Sequence, residues 1–202
     1  MSSKNKYGKF KKKDYVRMVE NVVWYLTRKF GYKTRPYIFE TKLPQNILMT
    51  FIHMASTYAI FYDYKQFKET FGHRDFDTQK AYVASIAAHE MRHYYQHRQM
   101  AAKKPKEKVE IIERWKDNEF NLKELRNGDS VSEVLLQPLE LDAALYEYMF
   151  GAEIFEVLLL QAINNEDHFN AMERLYIEYF GETNTDLFND EVREILTQRN
   201  EE

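Results

Sequence analysis

The chain has 202 residues, is 44% hydrophobic and 15% aromatic, and holds 6 Gly, 4 Pro and no Cys. That is enough apolar chain for the core of one ordinary domain, and the scarcity of Gly and Pro points to helices rather than a loop-rich all-β fold. The formal net charge of −3 gives no global footprint for nucleic acid or an anionic membrane. Without cysteine there are no disulfides and no thiolate metal sites, so a metal here must be held by histidine and carboxylate.

The opening MSSKNKYGKFKKKDY is basic but has no apolar stretch behind it, unlike a secretory signal. Residues 1–13 therefore read as a flexible basic tail. No segment reaches the roughly 18 apolar residues that span a bilayer. The expectation is a cytoplasmic protein without a membrane partner. Nucleic acid is not an expected partner, because no recognition motif accompanies the charge run.

Residues 14–202 read as one α+β domain. Tyr15, Met18, Val22 and Tyr25 recur at helical spacing and predict a helix over 14–30, with Gly31 as its stop. Between 36 and 67, YIFETKL, ILMTFIH and TYAIFYDYKQF are aromatic and β-branched, and predict three short antiparallel strands. Residues 77–102 have no Gly or Pro and predict a long helix, with Asp77 or Thr78 as its cap. Residues 103–130 read as an insertion or covering segment with a short helix from Glu107 to Trp115. Pro138 suits the first turn of a further helix, running to about Phe150 with a break at Gly151. Residues 152–202 read as a helical C-terminal extension that includes AEIFEVLLLQAI.

The long helix carries His89-Glu90-Met91-Arg92-His93. Residues four apart lie on one helix face, so both imidazoles can reach one Zn²⁺ at roughly 2.0–2.1 Å. Glu90 follows about 100° around the helix, off the ligand face, where it can take a proton from a metal-activated water. A chance match to this pattern is uncommon in a chain with so few histidines, and this one falls in a segment that must be helical for the chemistry. His97 continues the stripe, but three histidines at i, i+4 and i+8 span about 12 Å of helix axis, too long for one ion. His97 is read as a rim histidine.

The third ligand should be a carboxylate on another helix. In QPLELDAALYEYMFG, Glu140 follows the proline start, and Ala143 and Ala144 beside it permit close helix approach. Glu147, on the same face two turns later, is the reserve candidate.

His89-Glu90-x-x-His93 followed by Glu140-x-Asp142-Ala143 resembles the gluzincin pattern, in which a downstream glutamate on a second helix completes the zinc shell. Within that group the chain is similar to the small, compact peptidase domains common in phages and mobile elements, some of which cut transcriptional repressors. The similarity covers about residues 14–151, and only the two motif helices carry specific residues. It implies a zincin-like fold: a first helix, a small, mainly antiparallel sheet whose edge strand lies over the cleft, the active-site helix, then the glutamate helix. Many gluzincins place Asp or Asn four residues after the ligand glutamate, where it orients a ligand histidine. Here that residue is Ala144, and Asp142 lies on nearly the opposite face.

The expected function is a zinc metallopeptidase, a hydrolase acting on a protein or peptide substrate. His89, His93 and Glu140 are the expected ligands, and Glu90 activates water. The oxyanion donor is open among His53, His73, Tyr94 and Tyr146, and TYAIFYDYKQF is a candidate edge strand for substrate backbone. The alternative is a non-catalytic, metal-binding regulatory or interaction protein on the same fold.

Overall fold

The computed structural model describes residues 9–55, 57–120, 131–156, 163 and 165–199. The chain divides into two compact units, Met1–Tyr94 and Tyr95–Glu202. The fold is α+β, mostly helical, with one small sheet.

The first unit opens on α1 (Lys12–Lys29), which buries Tyr15, Val19, Val22, Val23 and Leu26 along one face. Gly31 follows at φ 77, a left-handed conformation that costs glycine nothing and stops the helix. The basic tail is shorter than the composition suggests. Lys12 and Lys13 belong to α1, and Phe10 is buried, its ring 5.4 Å from Phe76 and 6.1 Å from Phe67. Residues 1–8 lie outside the described residues.

Three strands follow: β1 (Tyr37–Glu40), β2 (Met49–Met54) and β3 (Thr57–Tyr62). Their order is β1-β3-β2, with β2 antiparallel to β3 and β1 parallel to it. This corrects two expectations. The sheet is mixed rather than mainly antiparallel, because the β1–β2 connection carries the chain past β3 before the β2–β3 hairpin returns it. TYAIFY is the central strand, hydrogen-bonded on both sides, so it cannot take up a further strand; β2 is an edge. Side-chain alternation reports which face a residue occupies, not strand direction or order.

The last part of TYAIFYDYKQF is also not strand. Asp63 ends β3 and caps α2 (Tyr64–Phe71), its carboxylate accepting from Gln66 N at 3.0 Å. Its other oxygen accepts from Leu43 N at 3.2 Å. The Gln66 side chain reaches into the same loop, accepting from Asn46 N at 2.7 Å and donating to Pro44 O at 3.0 Å. These backbone donors hold the Asp63 carboxyl below the usual carboxylate range.

Helix α3 (Phe76–Met100) begins in the first unit and ends in the second. Its cap is Asp75 rather than Asp77 or Thr78: the Asp75 carboxylate accepts from Thr78 N at 2.9 Å and from Thr78 Oγ1 at 2.6 Å. These bonds lower the Asp75 pKa. Ala81, Ala84, Ala87 and Ala88 are all buried along α3, so small side chains let neighbouring elements approach the helix backbone.

The second unit continues from the end of α3 through α4 (Val109–Phe120), α5 (Val131–Leu135), α6 (Pro138–Phe155), α7 (Glu166–Phe180) and α8 (Asp190–Arg199). Its core joins Leu145 and Tyr148 of α6 to Phe169, Met172 and Leu175 of α7 and to Leu187, Phe188 and Val192. The expected break at Gly151 is absent. Gly151 is buried inside α6, and the helix ends instead at Glu156, left-handed at φ 52. Tertiary packing overrides the roughly 1 kcal/mol that glycine costs a helix interior. The expected helix around Glu107–Trp115 is α4, shifted to Val109–Phe120. Residues 121–130 of the expected insertion, and residues 157–162 of AEIFEVLLLQAI, lie outside the described residues. Among the described residues no helix is long and apolar enough to cross a membrane.

Replacing Asp63 by Ala should cost about 1–2 kcal/mol at pH 7, the usual loss for a helix cap. Because folding lowers the Asp63 pKa, its contribution is present above the ordinary carboxylate range and disappears as pH falls through the lowered value. Urea melts of both proteins across acid pH should therefore converge at the acid end; a gap that widens there would refute the assignment.

Candidate metal centre

His89 and His93 stand one turn apart on α3, with Nε2 atoms 3.2 Å apart and ring planes at 77°. Two nitrogens each about 2.05 Å from one tetrahedral ion are themselves about 3.3 Å apart. The two Nε2 atoms therefore already stand at the separation one zinc ion requires. A pair of rings can also share a proton across this distance. Both rings are half-buried.

Glu90 is buried at 7% exposure, and its Oε2 accepts the backbone N–H of Phe51 at 2.7 Å. Phe51 lies on edge strand β2, opposite Ile60 of β3. In the antiparallel ladder Asp63 N donates to Leu48 O, so alternate residues Leu48, Thr50 and Ile52 turn their backbone groups toward β3. Phe51 turns its own toward the open edge, where Glu90 meets it. The sequence carried no sign of this bond, since a main-chain amide has no residue type to recognise.

Tyr94 adjoins the second histidine and is buried completely. Its hydroxyl donates to Thr34 O at 2.6 Å, and its ring lies 5.1 Å from Tyr58 and 5.4 Å from Tyr32. Tyr94 thus anchors α3 to the sheet, and its hydroxyl is engaged by the Thr34 carbonyl. His53 is exposed on β2, stacked on Tyr58 at 4.9 Å, with Nε2 2.7 Å from Ala55 O. His73 precedes α3, and His89 lies 13 residues into that helix (89 − 76 = 13), about 20 Å along its axis at 1.5 Å per residue, which removes His73 as an oxyanion donor.

Glu140 occupies the third position of α6, after Gln137 as cap and Pro138 at the first position, and is half-buried. A carboxylate there also meets the positive end of the helix dipole. Gln137 supplies no side-chain cap. Asn118 of α4 does so from outside the helix: its Oδ1 accepts from Leu139 N at 2.8 Å and its Nδ2 donates to Gln137 Oε1 at 3.0 Å. Asn118 was not among the expected site residues, because a cap supplied from another helix leaves no local sequence signature.

Asp142 is buried at 2% exposure. Its Oδ2 accepts from Gln96 Nε2 at 2.6 Å and its Oδ1 from Tyr179 OH at 2.7 Å. The same Gln96 amide donates to Leu139 O at 3.0 Å. In the second unit Asp142 therefore ties the last turns of α3 and α7 to α6. His97, expected at a rim, places Nδ1 3.3 Å from Glu119 Oε1 on α4. Glu147, the reserve ligand, is half-buried on α6, and Tyr146 lies beside it, its hydroxyl oxygen buried.

No family model, no curated protein and no solved structure matches this chain.

Glu90→Gln retains an oxygen that can accept from Phe51 N, so it should melt within a few degrees of the parent. Glu90→Ala removes that acceptor and should lose about 1–3 kcal/mol, the cost of leaving a donor unsatisfied. Equal melting temperatures for the two variants would show that the bond does not hold β2. Asp142→Ala removes the acceptor of one Gln96 N–H and of the Tyr179 hydroxyl, and should cost about 2–6 kcal/mol by calorimetry, summing two such penalties.

Proposed function

We propose that the protein is a zinc-dependent hydrolase of peptide bonds, with His89, His93 and Glu140 as ligands and Glu90 as general base. The observation that carries this reading is the pair of imidazole nitrogens 3.2 Å apart on one helix face, with a buried glutamate at the intervening position. Support for Glu140 comes from its own setting, a half-buried carboxylate in the first turn of α6.

A bound zinc ion supplies Lewis acidity, lowering the pKa of a coordinated water toward roughly 7 and polarising a carbonyl. The residues do the rest. His89 and His93 are presented in fixed rotation by a rigid helix. Glu90 holds one carboxylate oxygen on the Phe51 amide, which fixes its rotamer, and the carboxylate would accept the proton of the attacking water. After attack the same carboxylate is placed to return that proton to the leaving amine. A chain anchored at β2 by Glu90 would keep the sheet edge beside the reacting group.

A second reading, a metal-binding regulatory protein without turnover, is favoured by one observation. The groups that would tune catalysis carry structural duties: Glu90 holds a strand, and Asp142 is committed to Gln96 and Tyr179.

Purified protein should contain one equivalent of zinc by plasma emission spectrometry, and His93→Ala and Glu140→Ala should each lose it. Zinc retained in Glu140→Ala would move the third ligand elsewhere, with Glu147 next in line. With a pool of fluorogenic peptides, Glu90→Gln should keep zinc and lose at least about 100-fold in turnover, the scale of general-base catalysis. Full metal content with no cleavage by the parent protein would support the regulatory reading instead.

A further inference from the structure

At the C-terminal end of α1 the exposed face is aromatic and cationic. Trp24 is 47% exposed and Tyr25 46%. Each is followed one turn later by a cation: Arg28 lies 5.5 Å from the Trp24 ring and Lys29 5.9 Å from the Tyr25 ring. Arg35, from the segment leading to β1, lies over the same indole at 4.7 Å. Asn21, Trp24, Tyr25, Arg28 and Lys29 border an open depression of about 830 Å³. Two residues past Arg35 the exposed rings resume, with Tyr37 64% and Phe39 48% exposed and stacked on each other at 6.1 Å.

The charge is segregated. Residues 21–39 contain Arg28, Lys29, Lys33 and Arg35 and no Asp or Glu, in a chain whose net charge is −3. Two acids bound the segment: Glu40 pairs with Lys12 at 2.6 Å, and Glu20 stands one turn before Trp24 on α1. Two guanidinium groups lie against one indole. The patch thus offers flat apolar faces and cations together. Duplex DNA would use the cations and leave the rings idle. Single-stranded nucleic acid uses both, through base stacking on aromatic rings and phosphate contacts to Lys and Arg.

We infer that the face formed by Trp24, Tyr25, Arg28, Arg35 and Tyr37 binds single-stranded nucleic acid, by stacking bases on the rings and pairing phosphates with the cations. This site is separate from the histidine motif and independent of its chemistry. It is also not the basic tail: Lys12 and Arg28 lie at opposite ends of α1, about 24 Å apart at 1.5 Å per residue.

The full-length protein should be titrated with fluorescein-labelled dT20 and rU20 while anisotropy and tryptophan emission are followed. Binding should be saturable, with log K falling against log salt with a slope of about −2 to −3, as expected when three or four cations release counterions from a single strand. The oligonucleotide should quench Trp24 emission. That quenching should vanish in Trp24→Phe, whose remaining Trp115 is 1% exposed. Trp24→Ala should weaken binding about tenfold, within the range of one lost stacking contact. Arg28→Glu with Arg35→Glu should abolish binding, and deleting residues 1–8 should leave it unchanged. Trp24 is surface-exposed, so its variants report even if the charge reversal unfolds. Four outcomes would overturn the inference: no binding, binding lost with residues 1–8, equal affinity for duplex or heparin without quenching, or binding only to phosphatidylserine vesicles.

Discussion

The rest of the structure depends on the rigidity of one helix. From Phe76 to Met100 the backbone hydrogen bonds of α3 run unbroken, so every side chain on it points in a direction set by 100° per residue. Within the first unit this rotation aims His89 and His93 to one side, Glu90 toward the β2 backbone and the Tyr94 hydroxyl onto Thr34 O. None of these groups could be shifted alone. A kink between His89 and Tyr94 would separate the two imidazoles or release one of the anchors.

The buried polar groups around that helix are what specify its rotation. Apolar packing alone would tolerate some sliding, and the alanines of α3 are too small to oppose it. A carboxylate that must meet one backbone amide, a phenol that must meet one carbonyl and an amide that must meet two oxygens do oppose it, because each mispaired group would be left desolvated. Asp142 shows this most clearly. Its two oxygens serve Gln96 and Tyr179. The rotation of the two imidazoles comes from the helix that carries them, which Tyr94 fixes just beyond the second histidine.

Net charge conceals how charge is distributed. A value of −3 gives no global polyanion footprint, yet cations cluster locally at the C-terminal end of α1. Folding gathers Arg28 and Arg35, seven residues apart, against one indole (35 − 28 = 7). The turn at Gly31 that permits this serves first as a helix stop.

What the sequence determined by itself was local. The spacing of His89 and His93, the helix that must carry them, the acid between them, the proline start of α6 and the stop at Gly31 are all consequences of backbone periodicity and turn sterics, which short stretches encode. The strand segments were legible as strands for the same reason. Their order and direction were not, and neither was the helix beginning at Tyr64, because a carboxylate cap and a strand end look alike until the hydrogen bonds are placed. Only the tertiary structure decided that β3 is central and β2 an edge, that Glu90 binds the β2 backbone, that Asn118 caps α6 from another helix, and that Gly151 is carried through a helix interior. Each of these rests on a partner distant in the chain, and pairwise complementarity between remote segments leaves no mark on the residues of either one alone.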